Sequence, residues 1–285
     1  MSPRLPGSRR VFLFGHPVSH SLSPAMQNAA FRCRRLPFLY APLDVPPGTV
    51  EAAIGLLRAG NVLGANVTVP HKEAVLEYLD EVDRDSVWLA SVNTVYKKGS
   101  RLCGTSTDGP GFLRSLGGEA RRLRGASVLL VGAGGGARAV AGALQGAGIR
   151  RLSITDRDEV RAVRLARLLK ARLKRFEACA VSRREAEHML PGSDLIVQAT
   201  PLGLHPGDPS PISLAHAMRG ALAVDLVYHR RTSFLREASR RGLKTLSGLG
   251  MLLHQGALSF ERWTGRRAPL VVMEQALRSA LSSRR

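Results

Sequence analysis

Six residues with almost no side chain, Gly132-Ala133-Gly134-Gly135-Gly136-Ala137, stand between an apolar run, 127–131, that reads as a strand and an alanine-rich run, 137–147, that reads as a helix. That junction constrains the fold more than anything else in the chain. A strand that gives way to a helix across a glycine turn is the building unit of a doubly wound α/β sheet. The spacing fits G-x-G-x-x-A. Gly132 permits the tight turn, Gly134 lets the backbone approach a pyrophosphate, and the small Ala137 allows close helix–strand packing. Residues 132–137, with Ala133, Gly135 and Gly136 among them, are therefore a candidate dinucleotide site. A merely tight turn is the plainer alternative.

Asp156 follows Gly132 by 24 residues, at the end of a second strand read as 152–155. An acidic side chain there binds a ribose 2′-hydroxyl, and it can also cap the next helix. It repels a 2′-phosphate, which favours NAD, whereas Arg157 and Arg161 could hold that phosphate, which favours NADP. The pattern leans to NAD.

Ahead of this unit, strands are read at 11–15, 38–43 and 62–69 and helices at 24–33, 51–59 and 71–79. Runs at 91–96 and 102–105 flank a turn at 97–100 and suggest a hairpin. Behind it come apolar runs at 194–199 and 221–227, then a helical stretch, 248–283, broken at 265–269. Strands alternating with helices imply parallel sheets covered on both faces. The expected architecture is two α/β domains, the second a Rossmann-type domain over 108–246, the first over 1–107 and completed by returning C-terminal helices at 247–285.

A chain of 285 residues suits two domains, and 44% hydrophobic with 22% charged residues rules out disorder, collagen and coiled coil. Three widely spaced cysteines make a disulfide framework or a cysteine zinc site an unfavoured reading, and the histidines lack ligand spacing, so no metal is expected. No apolar run approaches the roughly 18 residues of a membrane span, and the N-terminal apolar stretch is too short for a signal core. A cytoplasmic protein is expected. The charge is unusual: +20, with only six lysines among 42 cations. Such a field attracts phosphates and carboxylates. Nucleic acid is the sharper alternative, but aromatics are 5% and no recognition signature is present. Arg161, Arg164, Arg167, Lys170 and Lys174 recur at helical spacing, as a solvated helix face does.

The first unit carries polar motifs. In Gly15-His16-Pro17-Val18-Ser19-His20-Ser21-Leu22-Ser23-Pro24, an extended backbone would place the Ser21 and Ser23 hydroxyls on one side, suited to a carboxylate; a helix cap at Ser23 is the plainer alternative. In Asn66-Val67-Thr68-Val69-Pro70-His71-Lys72, Asn66 and Thr68 share a face at a strand end. Lys72 is expected in the first turn of a helix, where the positive dipole end disfavours an ammonium and would make it an acid or base. A solvated surface lysine is the alternative. Asn93-Thr94 and Thr107-Asp108-Gly109 follow.

Together with Gly132 to Ala137 and Gly248-Leu-Gly-Met-Leu-Leu-His-Gln255, these motifs resemble the shikimate dehydrogenase family, in order and over nearly the whole chain. The resemblance implies a substrate domain, a dinucleotide domain and a cleft between them for substrate. It implies reversible hydride transfer between NAD or NADP and the ring carbon that separates shikimate from 3-dehydroshikimate, within aromatic amino-acid biosynthesis. Lys72 and Asp108 would be the catalytic pair, without a metal. Ser21 and Ser23, with Tyr228, would bind the substrate carboxylate; Asn66, Thr68, Asn93 and Gln255 would read the ring hydroxyls. Thr200, Gly248 and Met251 would join the cofactor site, and His71 would be packing. Monomer and homodimer both occur in such a family.

Departures from the family pattern are Gln27 in place of a histidine, Ser106 in place of an asparagine before Thr107-Asp108-Gly109, Gln198 in N-A-T, and Tyr228-His229-Arg230-Arg231-Thr232 where Y-x-P-x-x-T is usual. Asp156-Arg157-Asp158 replaces N-R-T and is similar to NAD-preferring members. An NAD-dependent quinate/shikimate dehydrogenase is thus one alternative, although two small serines fit shikimate. A non-catalytic dinucleotide- or nucleic-acid-binding protein is an alternative of another class.

Overall fold

The computed structural model describes residues 9–172 and 176–283. Lys174, counted above in a basic helix face, lies outside the described residues. The chain divides into two compact units, residues 1–111 with 253–285, and residues 112–252.

In the first unit, β1 (Arg9–Gly15), α1 (Ser23–Cys33), β2 (Phe38–Asp44), α2 (Val50–Leu56) and β3 (Val62–Val67) alternate as expected. They are followed by β4 (Glu81–Val82), α3 (Arg84–Trp88), and the hairpin β5 (Thr94–Lys98) and β6 (Arg101–Thr105). The sheet order is β2-β1-β3-β5-β6-β4. It is not wholly parallel: β5 runs antiparallel to both β3 and β6. For β5 and β6 the cause is the tight turn between Lys98 and Arg101, where Gly99 takes φ +63°; a two-residue connection reverses the chain. One face buries Phe14, Ile54, Leu57, Val67, Val95 and Leu102. Elsewhere in the core, Phe31 of α1 stacks on Phe260 at 5.5 Å.

The second unit opens within α4 (Asp108–Ser115) and continues through β7 (Ser127–Val131), α5 (Gly135–Gly146), β8 (Arg151–Thr155), α6 (Glu159–Arg172), β9 (Glu177–Ala180), α7 (Arg183–Met189), β10 (Leu195–Gln198), β11 (Leu222–Asp225), α8 (Ser233–Arg240) and β12 (Lys244–Ser247). Its order, β12-β11-β10-β7-β8-β9, is parallel throughout, which is the doubly wound arrangement the glycine cluster predicts. β7, β10 and β11 are buried at every position, as strands covered on both faces must be. On α6, Arg161, Arg164, Arg167 and Lys170 are exposed around buried Ala162, Leu165, Ala166 and Leu169.

Two helices close the chain, α9 (Leu249–Thr264) and α10 (Leu270–Ser282). The divisions fall inside α4 and α9, after Gly111 and Leu252, and not at the 107/108 and 246/247 junctions read from sequence. Packing explains the shift. Asp108 binds Asn93 of the first unit, whereas an atom at the Cβ position of Gly250 would lie 3.1 Å from Ser115 of the second. Among the described residues no helix is long and apolar enough to cross a membrane.

Candidate active site

Lys72 does not lie in the first turn of an α-helix. Residues 69–73 form turns and only a short 3-10 helix, Ala74–Tyr78, follows. The carbonyl of Lys72, which a helix would use internally, instead accepts the backbone N–H of Val92 at 2.9 Å. The helix-dipole argument therefore falls away. What holds Lys72 is Asp108: its Nζ donates to Asp108 Oδ2, with 14% and 6% of the two side chains exposed. His71, beside it, is buried and packs with Nε2 at 2.6 Å from the Val45 carbonyl.

Asn93 fixes the other side of Asp108. The Thr107 backbone N–H can only donate, and it reaches Asn93 Oδ1 at 2.8 Å. That contact settles which end of the amide is oxygen. Asn93 Nδ2 then faces Asp108 Oδ1 at 2.8 Å, Thr107 Oγ1 at 2.9 Å and Gln255 Oε1 at 3.2 Å. Asp108 so accepts through both oxygens, from an ammonium and an amide, as an acceptor-only carboxylate does. Lys72, Asp108, Asn93 and Gln255 are brought together at the C-terminal end of β3 and the start of α4.

The amide of Asn66 is engaged at both ends. Its Oδ1 accepts from Tyr40 Oη at 2.8 Å, and its Nδ2 faces the Asn93 carbonyl at 3.0 Å, Ser259 Oγ at 3.0 Å and Thr94 Oγ1 at 3.2 Å. Ser21 and Ser23 are not on an extended backbone: Leu22 is helical, at φ −91° and ψ −8°, and the Ser23 N–H donates to Ser21 Oγ at 3.2 Å. The Ser23 side chain makes no cap for α1. Thr68 directly follows β3, and its γ-methyl would lie 2.3 Å from a Cβ at Gly15, so glycine at 15 lets the two segments meet.

In the second unit the loops after β7, β8, β10 and β11 converge. Gly132 takes φ +116°, and a Cβ there would lie 2.9 Å from the carbonyl of Ala199, next to Thr200; only glycine fits. Around Gly134, by contrast, a Cβ would meet nothing within 4 Å. The protein itself leaves this face open, beside the N-terminal turn of α5, whose first N–H groups have no helical partners. Ala133 N–H donates to Asp156 Oδ2 at 2.6 Å, and Asp158 N–H to Asp156 Oδ1 at 2.8 Å. Arg157 is exposed, while Arg161 pairs with Asp158 at 3.1 Å. Gly248 backs onto Leu226, where a Cβ would lie 2.1 Å from the carbonyl oxygen; Met251 stands half-buried in the first turn of α9, and Tyr228 follows β11, edge-on to His229. An open glycine turn at the start of a helix and a nearby acidic residue fit a dinucleotide.

Three family models match the chain: the shikimate dehydrogenase substrate-binding domain over residues 13–95, the shikimate/quinate 5-dehydrogenase domain over 116–205, and the shikimate 5′-dehydrogenase C-terminal domain over 248–278. The shikimate dehydrogenase (NADP(+)) of Methanopyrus kandleri is 45% identical over 272 residues, 94% of each chain. The chain belongs to the shikimate dehydrogenase family. Among solved structures, shikimate 5-dehydrogenase of Thermus thermophilus in complex with NADP(H) and shikimate is 39% identical, with TM-score 0.84 over 95% of this chain and 99% of that one. Quinate dehydrogenase of Corynebacterium glutamicum in complex with NAD is 30% identical, with TM-score 0.87 over 95% and 99%. Members named in this way are oxidoreductases acting on a CH–OH group, which sets aside the non-catalytic alternative.

Against the shikimate dehydrogenase pattern, three of the departures have visible roles, whereas the buried Ser106 hydroxyl has no hydrogen-bond partner among the described residues. Gln27, fully buried, donates from Nε2 to the Gly256 carbonyl at 2.8 Å and so ties α1 to α9. Gln198 spans its own loop, donating to the Leu202 carbonyl at 2.6 Å. Thr232 still donates to the buried Asp225 and caps α8 by accepting from Leu235 N at 3.2 Å, despite the shortened element. Three residues given no role from sequence belong to the site: Tyr40, Thr94 and Ser259. Ser259 stands one helical turn after Gln255, the one signal that pointed to it; Tyr40 left none.

Proposed function

We infer that the chain catalyses the reversible reduction of 3-dehydroshikimate to shikimate, with a nicotinamide dinucleotide as partner. The observation that carries this reading is the Lys72–Asp108–Asn93 constellation, together with the family to which the chain belongs. The first unit holds substrate. Ser21 and Ser23 bind its carboxylate, and Asn66, Thr68, Asn93 and Gln255 read its ring hydroxyls. The second unit holds the dinucleotide at residues 132–137, with Asp156, Thr200, Gly248 and Met251 around it. When bound, the nicotinamide supplies or accepts the hydride.

The proton is the chain's own task. In the reductive direction the carbonyl oxygen gains negative charge, and Lys72 Nζ donates a proton to it; in the oxidative direction the neutral amine removes the proton from the hydroxyl. Asp108, held by Asn93, keeps the amine aimed at the reacting oxygen. No further oxidant is needed, because one hydride and one proton account for the change.

NADP(H) is the preferred partner in this reading. Relatives are named for NADP(+), and the lean to NAD drawn from Asp156 has no support among them. Both Asp156 oxygens accept backbone N–H groups, which leaves exposed Arg157 to meet a 2′-phosphate. The test is the initial rate with shikimate or quinate, each with NADP⁺ or NAD⁺. Shikimate with NADP⁺ is expected to have the highest kcat/KM, and Arg157→Ala to lower the NADP⁺ to NAD⁺ ratio. Turnover of quinate with NAD⁺ alone would favour the quinate/shikimate reading.

A further inference from the structure

We infer that Ser259 is a positioning residue that holds Gln255 in register with Asn93 and Asp108. The inference rests on the reading of Gln255 as a substrate-binding residue.

Ser259 lies in α9 and is fully buried. A hydroxyl there does nothing for the helix, since a serine bonding back to the carbonyl four residues earlier is neutral to unfavourable. Its value is in its partners. Ser259 Oγ lies 3.0 Å from the Gln255 carbonyl, 3.0 Å from Asn66 Nδ2, 2.8 Å from Thr94 Oγ1 and 3.2 Å from Thr107 Oγ1. The carbonyl can only accept and the amide can only donate, so the single hydroxyl hydrogen goes to Gln255 and one lone pair takes Asn66. The other lone pair is left for a threonine hydroxyl. One oxygen thus joins β3, β5, the residue before α4, and α9. The elements it joins are those that carry Asn93, Asp108 and Gln255. Tyr40 locks the far end by donating to Asn66 Oδ1. Without Ser259 Oγ, Asn66 Nδ2 keeps the Asn93 carbonyl and Thr94 Oγ1 as acceptors, but the hydroxyl that joins the Gln255 turn to the strand ends is gone.

The test is a double-mutant cycle with shikimate and NADP⁺. Ser259→Ala is expected to raise the shikimate KM by about tenfold, the scale of one buried hydrogen bond, and to leave the NADP⁺ KM unchanged. In a Gln255→Ala background the same substitution is expected to add nothing to the shikimate KM. Ser259→Cys, which keeps a weak donor at similar size, should recover part of the loss and keeps the test valid if the alanine variant fails to fold. Independent, multiplying effects of Ser259→Ala and Gln255→Ala, or an NADP⁺ KM that rises in parallel, would overturn the role. A wild-type chain that turns over neither shikimate nor quinate would overturn the functional reading, and this role with it.

Discussion

Asn93 turns its side-chain nitrogen to Asp108 at 2.8 Å because the Thr107 backbone N–H holds its oxygen, also at 2.8 Å. The amide has no freedom to flip. Asn93→Asp would set a second carboxylate against the first, and like charges at this distance cannot both ionise. At neutral pH the variant is expected to lose more kcat than Asn93→Ala, and to recover part of it as the pH falls and the pair takes up a proton. Flat, equal pH profiles for the two variants would contradict this geometry.

Lys72 has one carboxylate partner and a side chain largely removed from water. If it moves the proton, Lys72→Ala should lower kcat by roughly 10²-fold or more, the usual size for such a group, with little change in the shikimate KM. Lys72→Arg should not restore the rate, since a guanidinium does not give up its proton. An effect confined to KM would make Lys72 a binding residue.

Gly132 and Gly134 separate the needs of the fold from those of the ligand. Gly132→Ala meets both a left-handed φ and the Ala199 carbonyl, so it should lower Tm as well as dinucleotide affinity. Gly134→Ala meets no protein atom, so Tm should hold while the Kd for NADP⁺ rises. Calorimetric titration beside thermal melts reads both. A Gly134→Ala chain that binds NADP⁺ as wild type does would move the pyrophosphate elsewhere.

Asp225 gives a pH dependence of stability. Burial pushes its carboxyl up from 3.8 to about 6, against the opposing pull of the Thr232 hydroxyl and the Val227 N–H. The folded chain keeps a proton that the unfolded chain has released across this window. The stabilisation is present in full below the unfolded value and is lost as the pH rises to about 6, up to about 3 kcal/mol in all. Asp225→Asn should remove that slope. Denaturant unfolding of both chains between pH 4 and 7 would show it, and parallel curves would refute it.

Local chemistry is legible in the sequence and long-range chemistry is not. The glycine turn can be read because it carries its meaning within a few residues, whereas Lys72 and Asp108 acquire theirs only through the resemblance of the motifs in order. The α-helix expected at 71–79 does not form because Val92, remote in sequence, takes the Lys72 carbonyl. The partners of Asn66 leave no local trace for the same reason: Tyr40 and Ser259 stand 26 and 193 positions away. The hairpin at 94–105 is visible, but its union with β3 in one mixed sheet is a matter of pairing between segments that no periodicity records. Helix α7 does leave a signal, the reciprocal Ser182–Glu185 capping box, although it is easily lost among the arginines.

The scarcity of lysine in so cationic a chain gives Lys72 an unusual spectroscopic isolation. Selective isotopic labelling at lysine would produce only six side-chain resonances. Lys98 and Lys244 are well exposed, at 70% and 56%, against 14% for Lys72. The ammonium beside Asp108 would therefore stand apart from these two in solvent exchange, and its surroundings could be followed directly as substrate binds, with no reporter attached to the molecule.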